Sequence, residues 1–257
     1  MKTSIRKILF SCFKRNLVKE IKVAQLAGYV SEHSGYHHGE ASLQGAIIGM
    51  AQNYVGSNNI NMLMPNGQFG TRLTGGKDSA SPRYIFTELN TPIIFSLFNK
   101  QDLPILNYNN DDGDSVEPEY YLPVIPMILV NGVIGIGTGF SSLIPAYNPQ
   151  DLINIYTALL SEKDEAHFAK LLKYTNKIKP YYRGFKGKIE KNTLSKYESI
   201  GVYKRMSSTK IEITELPVGT WTQNYKEFLE DYLDKQEKPK QIGNNKISHK
   251  QIPKILI

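Results

Sequence analysis

The sequence predicts an α+β chain. A winged-helix domain, a variant of the helix-turn-helix, is expected over residues 1–125, followed by a second, α/β domain over 126–257. Three observations predict this. Apolar residues recur at helical spacing through most of the first fifty residues. A Gly-, Ser- and Thr-rich stretch over 66–82, carrying Arg72 and Lys77, precedes the strand-like Arg83-Tyr84-Ile85-Phe86, as a basic wing would. From Asn148 onward the composition shifts, first to helical segments and then to basic β-type segments.

Taken in order, Ile5, Leu9, Phe13, Leu17 and Ile21 recur every four residues, with Ser4 placed to cap the helix they predict. The other faces of that segment are basic. Lys2, Arg6, Lys7, Lys14, Arg15, Lys19 and Lys22 stand against Glu20 alone. A short helix over Ala24–Ser31 ends at Ser34-Gly35. A second, over Glu40–Asn53, carries Leu43, Ile47, Met50 and Ala51 on one side. Ile60–Met64 reads as a strand, Pro65-Asn66-Gly67 as a turn, and 66–82 as a flexible loop or wing. A helix follows at Pro92–Asn99, then an acidic, Asn-rich loop over 105–119 and a buried segment over Leu122–Ile136. The domain boundary is expected within 125–145. Beyond it come helices at 149–161 and 164–176, β-type segments over 180–215, a helix at Trp221–Gln236, and twenty loose residues at the end.

Composition narrows the function classes. Of the 257 residues, 40% are hydrophobic and 21% charged, enough for a packed core. The single cysteine excludes an intramolecular disulfide framework and any Cys-rich zinc module. The most apolar stretch, Leu122–Phe140, is broken by two prolines, Asn131 and four glycines, and predicts no membrane span. A net charge of +7 suits a polyanionic partner. The basic face of the first segment reads first as a solvated helical face, with a phosphate-contacting surface and a helix lying on a membrane surface as the alternatives.

Three motif resemblances fail. Gly76-Lys77 lacks the P-loop's first glycine, since position 71 is Thr, and Asp78 replaces the magnesium-binding Ser or Thr. Gly135-Ile136-Gly137-Thr138-Gly139 has Phe140 where a dinucleotide fingerprint needs its third glycine. His33, His37 and His38 have helical zinc-ligand spacing but neither an HExxH pattern nor a nearby cysteine. A more informative grouping is Tyr36-His37-His38-Gly39-Glu40 with Lys77 and Arg83-Tyr84 downstream. A tyrosine hydroxyl attacking a phosphodiester needs a cation or base to stabilise the developing charge. Arginine supplies permanent charge, and histidine exchanges a proton near neutrality. From these residues alone, a nucleophilic tyrosine and an ordinary surface tyrosine beside a loop cation both remain open.

Longer motifs carry a family resemblance. Lys22-Val-Ala-Gln-Leu, Tyr36-His37-His38-Gly39-Glu40-Ala-Ser-Leu and Val55-Gly56-Ser57-Asn58-Asn59 occur in order with the run from Gly67 through Arg83-Tyr84-Ile-Phe-Thr. Val116-Glu-Pro-Glu-Tyr-Tyr-Leu-Pro, Met127-Ile-Leu-Val-Asn-Gly, Gly135-Ile-Gly-Thr-Gly and Ile213-Thr-Glu-Leu-Pro-Val-Gly-Thr-Trp-Thr follow. Over residues 2–235 the chain closely resembles eukaryotic-type DNA topoisomerase II, a type IIA topoisomerase.

The resemblance implies that Tyr84 opens a DNA strand as a 5′-phosphotyrosyl ester. Two subunits together would cut both strands of one duplex so that another can pass. It gives Arg83 and His38 places at the reacting phosphate. Arg6, Lys7, Lys22, His37, Ser42 and Lys77 become DNA contacts, and Ile136 an apolar wedge between base pairs. The second domain becomes the "tower" that buttresses bent DNA. Implied partners are double-stranded DNA and a second subunit in a homodimer, with no membrane. The implied cofactors are Mg2+ held by a TOPRIM domain and ATP held by a separate domain. The implied location is the nucleus, or the cytoplasm or virion for a DNA virus.

The chain begins Met1-Lys2-Thr3-Ser4-Ile5-Arg6-Lys7, inside a family motif resembling DGLKPSQRK, and contains nothing resembling the ATP-binding domain, the TOPRIM domain or the coiled-coil gate. It is therefore expected to be a breakage–reunion portion with no metal ligands of its own, binding DNA without efficient cleavage. Asp111, Asp112 and Asp114 are expected in a loop that offers no metal scaffold. A non-catalytic DNA-binding module would share the charge pattern but would not need Tyr84, Arg83 and His38 together.

Overall fold

The computed structural model describes residues 1–137, 139–161, 175, 178–193 and 196–237. Three helices, α1 (Thr3–Arg15), α2 (Val23–Ser34) and α3 (Glu40–Ala51), pack on one another. Ile8, Leu9 and Cys12 of α1 meet Val23, Leu26, Ala27 and Val30 of α2 and Leu43 and Ile47 of α3, all removed from water. The first helix is shorter than its periodicity predicts. Asn16 adopts a left-handed conformation (φ 49°), and its N–H bonds back to Cys12 and Phe13. This ends the helix and turns buried Leu17 into the core. Ser4 does not cap it; Lys2 occupies that position without a side-chain bond.

β1 (Ile21–Lys22) pairs antiparallel with β2 (Phe86–Thr87), Ile21 opposite Thr87 and Lys22 opposite Phe86. The strand expected at Ile60–Met64 reduces to a single bridge, Leu63 with Leu89, and the turn after it adds another, Asn66 with Phe86. The loop over 66–82 is a series of turns tied down by local hydrogen bonds. Phe69 and Gly76 are buried, and Asp78 accepts bonds from Thr71 N–H (2.8 Å), Thr71 Oγ1 (2.5 Å) and Thr74 Oγ1 (2.7 Å). Local hydroxyl–carboxylate bonding gives this Gly-rich stretch one conformation.

α4 (Thr91–Leu97) leads through a 3₁₀ turn to β3 (Tyr108–Asp111) and β4 (Asp114–Pro118). The acidic loop expected at 105–119 is thus a hairpin, with Asp111 opposite Asp114 and Asp112-Gly113 turning at φ 50° and 93°. That dipeptide is a strong hairpin signal. Next come α5 (Met127–Asn131) and a second hairpin, β5 (Val133–Gly137) with β6 (Phe140–Ile144). The segment expected to be buried over Leu122–Ile136 is buried only in part. Ile125, Met127 and Val130 enter the core, while Ile134 and Ile136 stand in water.

α6 (Pro149–Ser161), the hairpins β7 (Lys188–Thr193) with β8 (Lys196–Ile200) and β9 (Val202–Arg205) with β10 (Ile211–Glu215), and α7 (Thr222–Glu237) complete the described chain. Every described strand pair is two-stranded and antiparallel, so the class is α+β throughout. The helix expected near 164–176 lies outside the described residues except at Thr175, and the last twenty residues lie outside them entirely.

Polar side chains join the early helices to the later segments. The Asn59 amide, buried, faces the carbonyls of Val130 (2.8 Å), Tyr147 (3.2 Å) and Tyr181 (2.9 Å), and its Oδ1 accepts from Arg183 N–H at 2.8 Å. Asn131 bonds both backbone groups of Ile60, accepting at 2.9 Å and donating at 2.8 Å. Arg72 pairs with buried Glu215 and donates to Leu216 O at 2.6 Å. Gly75, at φ +67°, lies against Trp221, where an added Cβ would stand 2.3 Å from the indole. Only glycine fits that contact.

Candidate functional site

Arg83 and Tyr84 sit in a turn after Ser81-Pro82, closed by Tyr84 N–H donating to Ser81 O at 2.9 Å. Backbone bonds dock this turn on the start of α2: Ala24 N–H to Pro82 O and Val23 N–H to Ile85 O, both 3.0 Å. Ile85, only 1% exposed, anchors it from beneath. A buried residue below and two bonds behind leave the Tyr84 side chain 71% exposed on a fixed backbone. The Arg83 guanidinium lies 5.6 Å from the Tyr84 ring centroid, within cation–π range. An exposed phenol beside a permanent cation on a rigid turn can meet a phosphodiester approaching from solvent.

A second cluster surrounds a cleft of about 600 Å3 between α1, the 35–38 loop, the start of α3 and the β3–β4 hairpin. Lys7, His37, His38 and Ser42 line it together. The His38 ring packs edge-on against Tyr36 (centroids 5.6 Å apart), and Tyr36 OH donates to Ser42 Oγ at 3.4 Å. His37 Nε2 lies 3.2 Å from Asp111 Oδ2. Gly35, at φ +57°, leaves room for that carboxylate, since a Cβ there would fall 1.6 Å from Asp111 Oδ2. Lys7 does not stand free. Its ammonium pairs with Glu117 at 2.7 Å and donates to Ser34 O, with both side chains mostly removed from water. Arg6 is likewise occupied, donating to Pro118 O (3.1 Å), Met1 O (2.8 Å) and Thr3 Oγ1 (3.4 Å).

Arg83 and Tyr84 do not line this cleft. Lys22, exposed just before α2, places its ammonium 5.9 Å from the Phe86 ring centroid. Lys77 is exposed on the 66–82 loop. Ile136 is 90% exposed near the tip of the β5–β6 hairpin, which removes the reading of it as a buried strand residue. The three histidines considered as zinc ligands face different partners. His33 stacks on Tyr29 and approaches its carbonyl, while His37 meets Asp111.

Among the described residues no three His, Cys, Asp or Glu side chains come together to hold a metal ion. The Mg2+ that the resemblance implies therefore has no fitting site in those residues. No described helix is long and apolar enough to cross a membrane.

The chain is similar in sequence and in fold to known proteins. A family model for the A-type subunit of DNA gyrase/topoisomerase IV matches residues 1–255. The chain belongs to the DNA gyrase/topoisomerase IV family. Within it, the chain is 56% identical over 236 residues to a probable DNA topoisomerase 2 of Dictyostelium discoideum, covering 90% of this chain and 15% of that protein. It is 53% identical over 234 residues to DNA topoisomerase 2 of Plasmodium falciparum, covering 89% and 16%. The crystal structure of the Plasmodium falciparum topoisomerase II DNA-binding, cleavage and re-ligation domain superposes with a TM-score of 0.85 at 52% identity, covering 92% of this chain and 31% of that one. This member of the gyrase/topoisomerase IV family spans about a sixth of the length of the curated relatives it matches.

Sequence reasoning missed the residues that hold this family member's site in place. Asn59 and Asn131 were visible only as parts of longer motifs. Asp111 and Glu117 were visible only as acidic loop residues, because their partners His37 and Lys7 are 74 and 110 positions away. The available signal was Asp112-Gly113, which brings the hairpin into register and its carboxylates to the cleft.

Proposed function

We propose that this chain performs the DNA-binding, cleavage and religation steps of an ATP-dependent type II DNA topoisomerase, an isomerase that relaxes or decatenates DNA. The observation that carries the proposal is the exposed Tyr84 on its braced turn, with the Arg83 guanidinium against it. Residues 1–125 act as the winged-helix domain and 126–257 as the tower. The Tyr84 phenol oxygen attacks a backbone phosphorus, an O–P bond forms, and the bond to the 3′ oxygen breaks. The phenol proton passes to a base, and the departing 3′ oxygen takes up a proton. The product is a 5′-phosphotyrosyl ester and a free 3′ hydroxyl, and the reverse reaction reseals the strand with no external energy for the bond. Arg83 stabilises the charge building on the phosphoryl oxygens, and His38 serves at the same phosphate. Lys22, His37, Ser42 and Lys77 hold the backbone. Lys7, paired with Glu117, and Arg6, bonded to Pro118 O, act by fixing α1 against β4 as well as by any contact to DNA. Ile136 enters the base stack and bends the duplex. The enzyme works as a homodimer on double-stranded DNA, in the nucleus, or in the cytoplasm or virion for a DNA virus. Mg2+ and ATP are bound outside the described residues, Mg2+ stabilising phosphoryl charge when present.

The test mixes this chain with a separately made TOPRIM domain, Mg2+ and end-labelled duplex, quenched with denaturant. A protein-linked 5′ end that disappears in Tyr84→Phe is the expected result. DNA binding with no adduct, even when both parts are joined in one chain, would leave only a binding module.

A further inference from the structure

The β5–β6 hairpin carries four large apolar side chains in water: Ile134 is 71% exposed, Ile136 90%, Phe140 85% and Leu143 75%. No charged residue occurs from Gly132 to Ala146, in a chain of net charge +7. Exposed apolar edges invite aggregation unless something covers them. The strand register sorts these groups. Ile136 lies opposite Ser141 and Gly137 opposite Phe140. Cross-strand partners share a face and successive residues alternate, so Ile136 projects on one face of the tip and Phe140 on the other. Each is backed by a small partner. The tip is therefore a two-sided apolar blade.

Its root is fixed. Asn131 bonds both backbone groups of Ile60, and Gly132, at φ +68°, leaves no room for a Cβ beside Ile144 O. Lys2 Nζ donates to Ile134 O at 3.3 Å, which sets a cation beside an uncharged strand. A cation to meet phosphate, next to an apolar tip flanked by glycine and serine, suits an opened base step in a duplex.

We propose that Phe140 is a second wedge residue, packing against base edges and deoxyribose on the side of the opened step opposite Ile136. The proposal rests on the DNA-bending reading above and extends it by one residue. Ile136 opens the step, and Phe140 holds it open.

The test uses this chain, a short duplex labelled at both ends for energy transfer, and a fluorescent base analogue at the bent step. Phe140→Ala, Phe140→Trp and Ile136→Ala are compared with the unaltered chain; Phe140 is exposed, so melting curves should coincide. Phe140→Ala should weaken binding roughly fivefold or more, the scale of one lost base–aromatic contact. It should also straighten the duplex and quench the unstacking signal, while the salt slope stays unchanged because phosphate contacts lie elsewhere. Phe140→Trp should restore the bend. If Phe140→Ala bends DNA as the unaltered chain does while Ile136→Ala does not, the proposal is overturned. If the unaltered chain leaves the duplex straight, the bending reading falls and the proposal with it. Loss of binding to anionic phospholipid vesicles, with DNA bending untouched, would also overturn it by assigning the tip to a membrane.

Discussion

Asp78 shows how a single side chain sets the conformation of a loop. Hydrogen bonds, first from the Thr71 hydroxyl and also from the Thr71 N–H and Thr74, hold its carboxyl down to about 2 against the opposing effect of burial. A depressed carboxylate adds stability that is complete above its unfolded value near 4 and is lost as the pH falls toward 2. Asp78→Asn should therefore flatten the acid limb of the melting temperature between pH 4 and pH 2, leaving the neutral plateau lower. An unchanged acid limb would show that the Thr71 bonds are not held in solution. The same carboxylate raises the Tyr54 phenol, after the larger effect of that ring's own burial. The Tyr84 and Arg83 side chains, by contrast, stand exposed. Exposure and adjacency are what the chain supplies, and both follow from Ile85 being pinned below the turn.

At the scale of elements, the β3–β4 hairpin is the part whose role was least visible beforehand. Glu117 is 2% exposed, and its partner is the Lys7 ammonium on α1. Breaking a buried pair leaves a charge without compensation, at roughly 3–5 kcal/mol. Lys7→Met should lower stability by about that amount, and Lys7→Met with Glu117→Gln should recover much of it, as chemical denaturation would measure. If the double variant is no better than the single, the pair does not carry the hairpin's attachment. The same hairpin delivers Asp111 to His37, so loosening it should disturb the 35–38 loop as well. The longer helices, by contrast, were legible in the sequence within two or three residues at most described ends, while α5 fell inside a segment expected only to be buried. The α1 terminus is an exception, since left-handed Asn16 interrupts a periodicity that runs on past it.

Over the whole molecule, charge and packing divide the work. Of the basic residues proposed to contact DNA, Arg6 and Lys7 are turned to internal acceptors, while Lys22 and Lys77 stand exposed. Binding to duplex should still weaken steeply with salt, log affinity falling by about 0.9 per decade of salt for each phosphate neutralised. Titration of a labelled duplex at several salt concentrations would measure this. A flat response would remove backbone contact from the proposal. Should the slope survive Lys7→Met but shrink in Lys22→Ala, the division between internal and external cations holds.

By itself, the sequence determined what local chemistry determines: the α+β class, the main helices, the absence of a Cys-based framework, and the adjacency of Arg83 and Tyr84. It also carried the family, because long collinear motifs survive without any knowledge of folding. Only the tertiary structure decided which charges are spent inside the chain and which apolar side chains are left outside. Lys7 and Arg6 look like surface cations until Glu117 and Pro118 arrive from more than a hundred residues away. Ile136 looks like a core residue until the hairpin carries it into solvent, with Phe140 beside it. The physical reason is common to both. A side chain's hydrophobicity and charge are local properties, whereas its burial and its partner are set by contacts between segments far apart in the chain.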